Sequence, residues 1–509
     1  MPEKEIIPRD RPPIVTVVGH IDHGKSTLLD YIRKSNTAAG EAGGITQHLS
    51  AYEAVHTTPA GVLRHITFLD TPGHAAFRAM RSRGLNAADV AILVVSAEDG
   101  AKTQTVEAIT LIHEAKIPFI VAFTKIDKPN ANLERAKLSL LEHNVFVEGM
   151  GGDTPFVAVS SKTGEGIPEL LDLILLAAEL EGLSADPSLP GVGLIIEAHI
   201  DQKRGNTATL IVKDGSVRSG QYIVCGESFA PVRIMENYIG KNIKEALPGS
   251  PMRIVGFTTA PEVGAQWRAV ETKKDAEAHA TEARKKRLSE TVAPTRNTEP
   301  EEDGKLHVVM PLVIKTDFSG TGDAVLHELL KMPQDPRLEV RVVGRSVGHI
   351  SENDVKLVGA STPAGIIVGF NVKVENEARQ LAERLGVEVA TFDIIYKLTE
   401  WLQEQLTKRH PRENMDEKTG TAKILKVFSN QQGRVVLGGR LEQGVFEEGN
   451  PVKLMRGELE LGRGEILSLQ IQKSAVKKAE APCEFGTMIR TSAQPAPGDY
   501  IEAFEVVLK

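Results

Sequence analysis

Cysteine is nearly absent from this sequence. Its 509 residues include two cysteines, Cys225 and Cys483, which lie far apart in the chain. Two distant thiols make neither a disulfide framework nor a metal-ligand cluster. Their scarcity favours a reducing compartment over an extracellular one.

Long apolar stretches and a targeting leader are missing as well. No apolar run in the sequence approaches the roughly 18 residues that a membrane-spanning helix needs. The start, MPEKEIIPRDRPP, lacks the apolar core of a signal peptide and the Arg- and Ser-rich, acid-poor composition of a transit peptide. These absences predict a cytoplasmic protein with no membrane partner.

The sequence also lacks an excess of positive charge. It has 60 basic and 68 acidic residues, which give a formal charge of -8. No global positive field therefore attracts nucleic acid, and any contact with RNA must be local.

The length indicates roughly three to five domains, because 509 residues exceed what a single core organises. Residues 11–182 alternate short apolar runs, such as PIVTVVG and VAILVVS, with segments of helical period. This alternation is typical of a parallel sheet with helices on both faces.

The sequence pattern changes after residue 190. Glycine turns between strand-like runs predict a β-barrel over 190–265, and a charged helix and linker follow over 266–304. The pattern over 305–392 predicts a small α/β domain in which SEND forms a capping box. The pattern over 393–416 predicts a long connecting helix. A second barrel is predicted over 418–509, because QGVFEEGNPVK repeats the pattern of DGSVRSGQYIV in the first.

A phosphate-binding loop is predicted where GHIDHGKS fits the pattern G-x-x-x-x-G-K-[ST] between a strand and a helix. Its glycines let successive backbone N–H groups wrap phosphates, while Lys25 reaches the β- and γ-phosphate oxygens and the Ser26 hydroxyl binds Mg²⁺. The predicted phosphate-binding residues of this loop are Gly19, His20, Ile21, Asp22, His23, Gly24, Lys25 and Ser26.

Two more motifs supply the remaining parts of a triphosphate site. Asp70 ends a buried strand in FLDTPGHAAF, where a carboxylate holds the Mg²⁺ shell through water, and Gly73 offers a backbone N–H to a γ-phosphate. His74 follows at the place where a group that positions water is needed. Thr46, in GEAGGITQHLS, is a further candidate ligand for Mg²⁺ in a loop that orders around a triphosphate.

A guanine-reading loop is predicted at FTKID, where Thr124 replaces the usual asparagine. Asp127 accepts hydrogen bonds from the base and Lys125 packs along it, while Ser160, Ser161 and Lys162 at the next strand end add a backbone N–H. Strand ends of an open α/β sheet converge on one crevice. We expect guanine selectivity to be kept and affinity to be about 1 kcal/mol weaker, because threonine replaces only part of the asparagine contacts.

These motifs carry a family resemblance. GHIDHGKSTLLD, GEAGGITQHLSAY, DTPGHAAF and SSKTGEGI are similar to the GTPase core of the bacterial translation initiation factor two family, and the resemblance extends to the terminal PGDYIEAFE. The predicted fold class is therefore multidomain α/β plus β: a P-loop GTPase domain, a β-barrel, a small α/β/α domain, a long linker helix and a second β-barrel.

The resemblance implies a function and its partners. A member of this family brings formyl-methionyl initiator tRNA to the small ribosomal subunit, promotes joining of the large subunit, works with other initiation factors and is a monomer off the ribosome. It implies GTP and Mg²⁺ as ligands, with Thr46 completing the Mg²⁺ shell and Asp22 a candidate for a monovalent cation. His74 then orients the attacking water once the ribosome places it, which makes hydrolysis slow in isolation.

The sequence departs from the family pattern in the last barrel. The family's Gly-Cys-Arg, basic-basic-aromatic and Glu-Cys-Gly motifs correspond here to GGR (438–440), QIQ (470–472) and EFG (484–486). Arg440, Glu484 and Gly486 keep the family residues. We expect them to hold the tRNA 3′ end in a pocket in which Phe485 replaces the thiol. The family's long N-terminal extension is also expected to be absent.

Three alternatives stay open from the sequence. One is an elongation-type translational GTPase that delivers ordinary aminoacyl-tRNA, although the second α/β domain and the helix before the last barrel argue against it. Another is the GTPase subunit of a metabolic complex such as one that activates sulfate. The third is a GTP-binding interaction protein without turnover.

Overall fold

The computed structural model describes residues 9–34, 46–201, 203–290, 308–332, 337–361, 364–409, 414–431, 433–457, 459–472 and 474–508. The chain divides into two compact units, residues 1–409 and 410–509.

A largely parallel sheet forms the first region of the larger unit. Its strands lie in the order β3-β4-β2-β5-β6-β7, and β3 runs antiparallel to its neighbour. The elements are β1 (Arg9–Asp10), β2 (Ile14–Gly19), α1 (Lys25–Arg33), β3 (Ser50–Thr57), β4 (Leu63–Asp70), a 3₁₀ turn (Ala75–Phe77), α2 (Arg78–Ala87), β5 (Val90–Ser96), α3 (Thr103–Ala115), β6 (Phe119–Thr124), α4 (Leu133–Leu141), β7 (Phe156–Ala158), α5 (Ile167–Leu180) and β8 (Ser184–Ala185).

Both faces of this sheet are covered by helices, as the sequence predicts. Alternate residues of β5 enter different cores: Ile92 packs with α1 and α5, whereas Leu93 packs with α3 and α4. Side chains of a strand point to opposite faces with period two. A strand buried on both faces reads as a continuous apolar run, which explains VAILVVS. The carboxyl ends of β2, β4 and β6 meet at one edge.

An antiparallel barrel-like sheet follows, in the order β13-β12-β17-β9-β10-β16-β14. Its elements, with the helix that follows, are β9 (Val192–Asp201), β10 (Gly205–Asp214), β11 (Val217–Arg218), β12 (Tyr222–Cys225), β13 (Ser228–Pro231), β14 (Met235–Glu236), β15 (Glu245–Ala246), β16 (Pro251–Val255), β17 (Gln266–Val270) and α6 (Lys273–Glu290). The predicted end at 265 falls one strand too early. The residues after 265, QWRAV, form the last strand, in which exposed polar residues alternate with the buried Trp267 and Ala269. The charged helix begins only at Lys273. Part of the predicted linker, 291–304, lies outside the described residues.

A second parallel sheet, ordered β19-β18-β20-β21, forms the small α/β region. Its elements are β18 (Val308–Thr316), α7 (Ser319–Lys331), β19 (Leu338–Val347), α8 (Glu352–Gly359), β20 (Ile366–Phe370), α9 (Asn376–Leu385), β21 (Glu388–Phe392) and α10 (Ile395–Arg409). The predicted capping box is confirmed, because the Ser351 N–H donates to Asp354 Oδ2 at 2.8 Å. The predicted connecting helix is shorter than 393–416, and it packs Leu398 and Leu402 into the core of this sheet.

The small α/β region shares its core with the segment that follows Gly73. Ala76, Phe77 and Met80 lie in one apolar cluster with Leu312 and Phe370 of the second sheet. Burying a large apolar side chain contributes about 1.5–3 kcal/mol, so this cluster ties the start of α2 firmly to the second sheet. The segment that follows Gly73 is thus in contact with the small α/β region, a contact that the sequence analysis does not predict.

The smaller unit is a closed barrel in the part that the structure describes. Strands pair in the order β22-β29-β24-β25-β28-β23, and β23 returns to pair with β22. Its elements are β22 (Asn414–Gln431), β23 (Arg434–Glu447), β24 (Pro451–Arg456), β25 (Leu459–Ile471), β26 (Ser474–Val476), β27 (Lys478–Glu480), β28 (Cys483–Thr491) and β29 (Tyr500–Leu508).

The sequence repeat between the two barrels corresponds to one local structure. Gly215 and its counterpart Gly444 have φ of 69° and 76°. This is a left-handed conformation that glycine adopts without steric cost. A Cβ on either would lie within 2.4 Å of a backbone carbonyl oxygen. Two residues on, Val217 and Phe446 are both fully buried, so the repeat is a shared glycine turn that delivers one side chain to each core.

No helix among those the structure describes combines the length and the apolar composition needed to cross a membrane.

Candidate nucleotide site

The phosphate loop connects β2 to α1, with Gly24 at the helix cap in a left-handed conformation. The Lys25 ammonium lies inside this loop and donates to the carbonyl oxygens of Gly19 (3.0 Å) and His20 (2.6 Å). Burial lowers the pKa of Lys25 to about 8, and the nearby Asp70 carboxylate partly opposes that shift. The loop therefore holds a buried ammonium that phosphate oxygens would stabilise in its charged form.

His23 packs behind the phosphate loop. His23 is buried and its Nδ1 accepts from the Ser96 N–H at 3.3 Å. Burial, with the neighbouring His20, lowers the pKa of His23 to about 3, so its ring is neutral. The Ile21 N–H donates to Gln104 Oε1 at 2.8 Å. Gln104 is a contact that sequence reasoning missed, since no motif marks the first turn of α3.

Oxygen ligands converge beside the phosphate loop. The hydroxyls of Ser26 and Thr46 are 3.1 Å apart, although twenty positions separate them in the chain. Asp70 is buried at the end of β4, within electrostatic reach of Lys25. Hydroxyl and carboxylate oxygens are the donors that Mg²⁺ takes beside phosphate. The predicted ligand set thus fits this ion in chemistry and in position.

Gly73 lies directly over the phosphate loop. A Cβ at this position would stand 2.6 Å from Lys25 Nζ and 3.2 Å from Ile21 Cγ1. A larger residue would therefore displace the lysine, so close approach explains the glycine. Gly73 lines the cleft beside Lys25 and Ile21.

His74 borders the same cleft and is largely buried. Its Nδ1 accepts from the Ala76 N–H at 2.9 Å, and its carbonyl oxygen accepts from the Arg81 guanidinium. Burial lowers the pKa of His74. The ring also makes an edge-to-face contact with Tyr396, with centroids 4.2 Å apart. Tyr396 is the second contact that the sequence analysis missed, because it comes from the small α/β region.

The guanine end is built around Thr124 at the end of β6. Its hydroxyl donates to the His23 carbonyl oxygen, which ties this loop to the phosphate loop. The exposed Asp127 accepts from Ser160 Oγ at 2.8 Å. That hydrogen bond lowers the pKa of the Asp127 carboxyl. Lys125 has a φ of 61° and extends toward Glu98 and Asp99, each 3.9 Å away.

Both ends open into one cleft of about 560 Å³, a size suited to a nucleotide. Most predicted residues line it directly, and Gly19, His20, His23, Asp70 and Ser160 lie behind that lining. The lining residues are Ile21, Asp22, Gly24, Lys25, Ser26, Thr27, Thr46, Gly73, His74, Thr124, Lys125, Asp127, Lys128, Ser161 and Lys162.

The residues predicted for the tRNA end lie on the closed barrel. Arg440 and Glu484 are cross-strand partners on its exposed face, and Gly486 pairs with Gly438 two positions along. Phe485 is different: it is buried in the barrel core, 5.4 Å from Phe446 between ring centroids. The expectation that Phe485 lines a ligand pocket is corrected, because strand alternation turns it inward when Glu484 and Gly486 face outward.

The first region, with its phosphate loop, hydroxyl pair and guanine loop around one cleft, defines a P-loop GTPase of the translational type. The family model described as elongation factor Tu GTP binding domain matches residues 10–179. The model described as elongation factor G domain 2 matches 190–269, and that described as translation-initiation factor 2 matches 280–403.

Curated relatives identify the family. The chain is 39% identical to translation initiation factor IF-2 of Rubrobacter xylanophilus over 98% of its own length and 72% of that protein. It is 40% identical to the IF-2 of Halothermothrix orenii over 97% of its length and 72% of that protein. A crystal structure of GDP-bound aIF5B from Aeropyrum pernix is 26% identical, covering 97% of this chain and 92% of that one with a TM-score of 0.48.

The chain belongs to the translation initiation factor IF-2 family. It is a guanine-nucleotide-binding GTPase of translation initiation. This confirms the resemblance, the fold class and the enzyme class predicted from the sequence. The family assignment also excludes the elongation-type, metabolic and non-hydrolysing alternatives.

Proposed function

We propose that this protein binds initiator tRNA to the small ribosomal subunit in a GTP-dependent manner and promotes joining of the large subunit, with hydrolysis stimulated by the ribosome. The observation that best supports a GTP-dependent switch is the contact between the Ser26 and Thr46 hydroxyls, 3.1 Å apart. A ligand shared by both hydroxyls would link the position of Thr46 to the nucleotide state.

In the proposed site each residue of the phosphate end has one role. Lys25 pairs with the β- and γ-phosphate oxygens, and the Gly73 N–H contacts the γ-phosphate. Ser26 and Thr46 ligate Mg²⁺ directly and Asp70 does so through water. When bound, Mg²⁺ neutralises charge on the phosphate oxygens. Asp22, exposed at the mouth of the cleft with a φ of 61°, is proposed to hold a monovalent cation.

His74 is proposed to orient the attacking water. It borders the cleft, and because its pKa is lowered by burial it is neutral near pH 7. A neutral imidazole has one donor and one acceptor nitrogen, and because Nδ1 of His74 accepts from the Ala76 N–H, Nε2 is the nitrogen left to contact water in the described orientation. His74→Ala should remove most of the ribosome-stimulated GTP hydrolysis and leave nucleotide affinity unchanged. Single-turnover hydrolysis with ribosomes measures this, and full stimulation in the variant would exclude the role.

The base is proposed to lie against Thr124, Lys125 and Asp127, with Ser160, Ser161 and Lys162 closing the far side. Asp127 is held by the Ser160 hydroxyl and is ionised at neutral pH. An ionised carboxylate accepts from the adjacent N–H groups that guanine presents and adenine does not. Guanine selectivity follows from this one carboxylate.

The tRNA end is proposed to bind the exposed face of the closed barrel. Three features support this. Arg440 and Glu484 form a cross-strand pair there, the neighbouring Gly438–Gly486 pair presents no side chain, and the exposed Phe428 ring lies 3.1 Å from the position of a Cβ on Gly438. An exposed aromatic beside backbone polar groups suits a stacked adenosine at a single-stranded 3′ end.

Binding of initiator tRNA tests this proposal. Fluorescence titrations would use tRNA charged with methionine or formyl-methionine, with and without small subunits and a non-hydrolysable GTP analogue. Tighter binding of the formylated form is expected, and Arg440→Ala or Glu484→Ala should weaken it. Arg434→Ala is the matched control, since Arg434 is exposed on the same strand about 20 Å away. Equal effects of all three variants would argue against this surface.

The wider partners are both ribosomal subunits and the other initiation factors, which places the protein in the cytoplasm. We propose that it is a monomer when it is off the ribosome. Sedimentation of the free protein would give the mass of one chain, whereas a concentration-dependent dimer would contradict this.

A further inference from the structure

The nucleotide site has an aromatic contact from outside its own sheet. Tyr396, in the first turn of α10, meets the His74 ring edge-to-face, with centroids 4.2 Å apart and planes at 74°. Such pairs have a preferred geometry because the edge of one ring is attracted to the face of the other. The contact therefore limits how the His74 ring can turn.

The described orientation of His74 is unsuited to accepting a hydrogen bond from water. Its Nδ1 lone pair is already occupied by the Ala76 N–H. A neutral imidazole with an acceptor Nδ1 carries its proton on Nε2, which can then only donate. For the ring to accept a hydrogen from an attacking water, it must leave this position.

The same end of α10 also touches the segment that carries Thr46. Gln47 Nε2 donates to the Asp393 carbonyl oxygen at 3.1 Å. Burial, with the charges of Glu328 and Asp22, raises the pKa of the Tyr396 phenol. The start of α10 is thus in contact with both chain segments that border the γ-phosphate position.

Tyr396 lies outside the apolar core of the small α/β region. Its side chain is 46% exposed, whereas the neighbours Ile395 and Leu398 are buried in the core. A residue that is half exposed, yet packed on a proposed catalytic side chain, is better explained by a role toward that side chain than by stability.

We propose that Tyr396 is a positioning residue that restrains His74 in a non-accepting orientation, so that the small α/β region keeps GTP hydrolysis slow until the ring is released. This inference rests on the proposed role of His74. It predicts that weakening the contact speeds the reaction in the absence of ribosomes.

Single-turnover GTP hydrolysis by the full chain tests this with three variants. Tyr396→Ala should raise the rate without ribosomes about two- to tenfold, the value of an edge-to-face aromatic pair. Tyr396→Phe keeps the ring and should leave the rate unchanged. Glu400→Ala, exposed on the same helix, should also leave it unchanged. With ribosomes, all three variants should reach the parent rate. An unchanged or lower ribosome-free rate in Tyr396→Ala would overturn the proposal.

The pKa of His74 gives a second readout. Burial is the largest cause of its lowered pKa, while the charges of Glu328, Lys331, Arg81 and Glu107 act on it more weakly and in both directions. Tyr396→Ala uncovers the ring, so the pKa should rise toward that of an exposed histidine, and Tyr396→Phe should not change it. NMR titration of histidine-labelled protein measures this, with the signal assigned from His74→Ala. No rise in Tyr396→Ala contradicts the restraint.

The proposed role of His74 and the proposed role of Tyr396 can be contradicted independently. If His74→Ala keeps full ribosomal stimulation, the role of His74 is wrong. If His74→Ala abolishes stimulation but Tyr396→Ala changes neither the ribosome-free rate nor the His74 pKa, only the role of Tyr396 is overturned.

Discussion

At the phosphate end of the cleft, Lys25 is almost fully buried and the hydroxyls of Ser26 and Thr46 touch. At the guanine end, Asp127 is exposed, and the Thr124 hydroxyl ties its loop to the phosphate loop. Hydrogen bonds shielded from water are stronger than exposed ones. The difference indicates that affinity comes mainly from the phosphates, while the base end supplies selectivity with little excess binding energy.

Removing the buried ammonium should have the largest effect. Lys25→Ala leaves phosphate charge without a partner, and truncating one member of a buried charged pair costs about 3 kcal/mol, on the order of a hundredfold in affinity. Calorimetric titration with GDP measures it. A loss smaller than that caused by changing Asp127 would reverse the comparison between the two ends.

Changing the carboxylate at the base should have the next largest effect. Asp127→Asn puts an amide where guanine donates, so GDP affinity should fall about tenfold or more, since a hydrogen bond to a charged group is lost. Xanthine carries a carbonyl in place of the exocyclic amine, so xanthosine diphosphate should bind this variant better than it binds the parent. Unchanged preference for guanine would show that Asp127 does not read the base.

The buried lysine also predicts a pH dependence. The pKa of Lys25 is about 8 in the free protein, and bound phosphate raises it, so binding above that pH takes up a proton. GDP affinity should be flat below about pH 7 and fall by up to about tenfold per unit above about pH 8. Titrations of the parent and of Lys25→Arg measure this. The arginine stays charged, so the GDP affinity of Lys25→Arg should lack the extra fall above about pH 8. Any effect of pH on the guanine base itself is the same for both proteins.

Strengthening the guanine end should have the smallest effect. Thr124→Asn restores an amide that can contact both the base and the phosphate loop, so GDP should bind about fivefold tighter, close to 1 kcal/mol. Thr124→Val removes the hydrogen bond to the His23 carbonyl and should weaken binding. Stopped-flow dissociation of a fluorescent GDP measures both, and no gain from asparagine would mean that threonine already satisfies this loop.

Sequence reasoning succeeded where chemistry follows from residues close together in the chain. The phosphate loop, the D-T-P-G-H segment and the T-K-I-D loop each end a strand of one parallel sheet, so their meeting follows from topology. It failed for Phe485, because a motif does not say which face of a strand its middle residue takes. It missed Gln104 and Tyr396, since their neighbours in the sequence carry no signal of the contact.

The sequence by itself determined the GTPase class, the positions of the nucleotide motifs, the barrel repeat and the family. These features are local, because glycine turns, helix caps and buried strands follow from a few neighbouring side chains. Only the tertiary structure decided that the start of α10 lies on His74 and that Phe485 belongs to a barrel core. Both depend on contacts between distant elements, whose packing is decided by the whole buried surface rather than by any one segment.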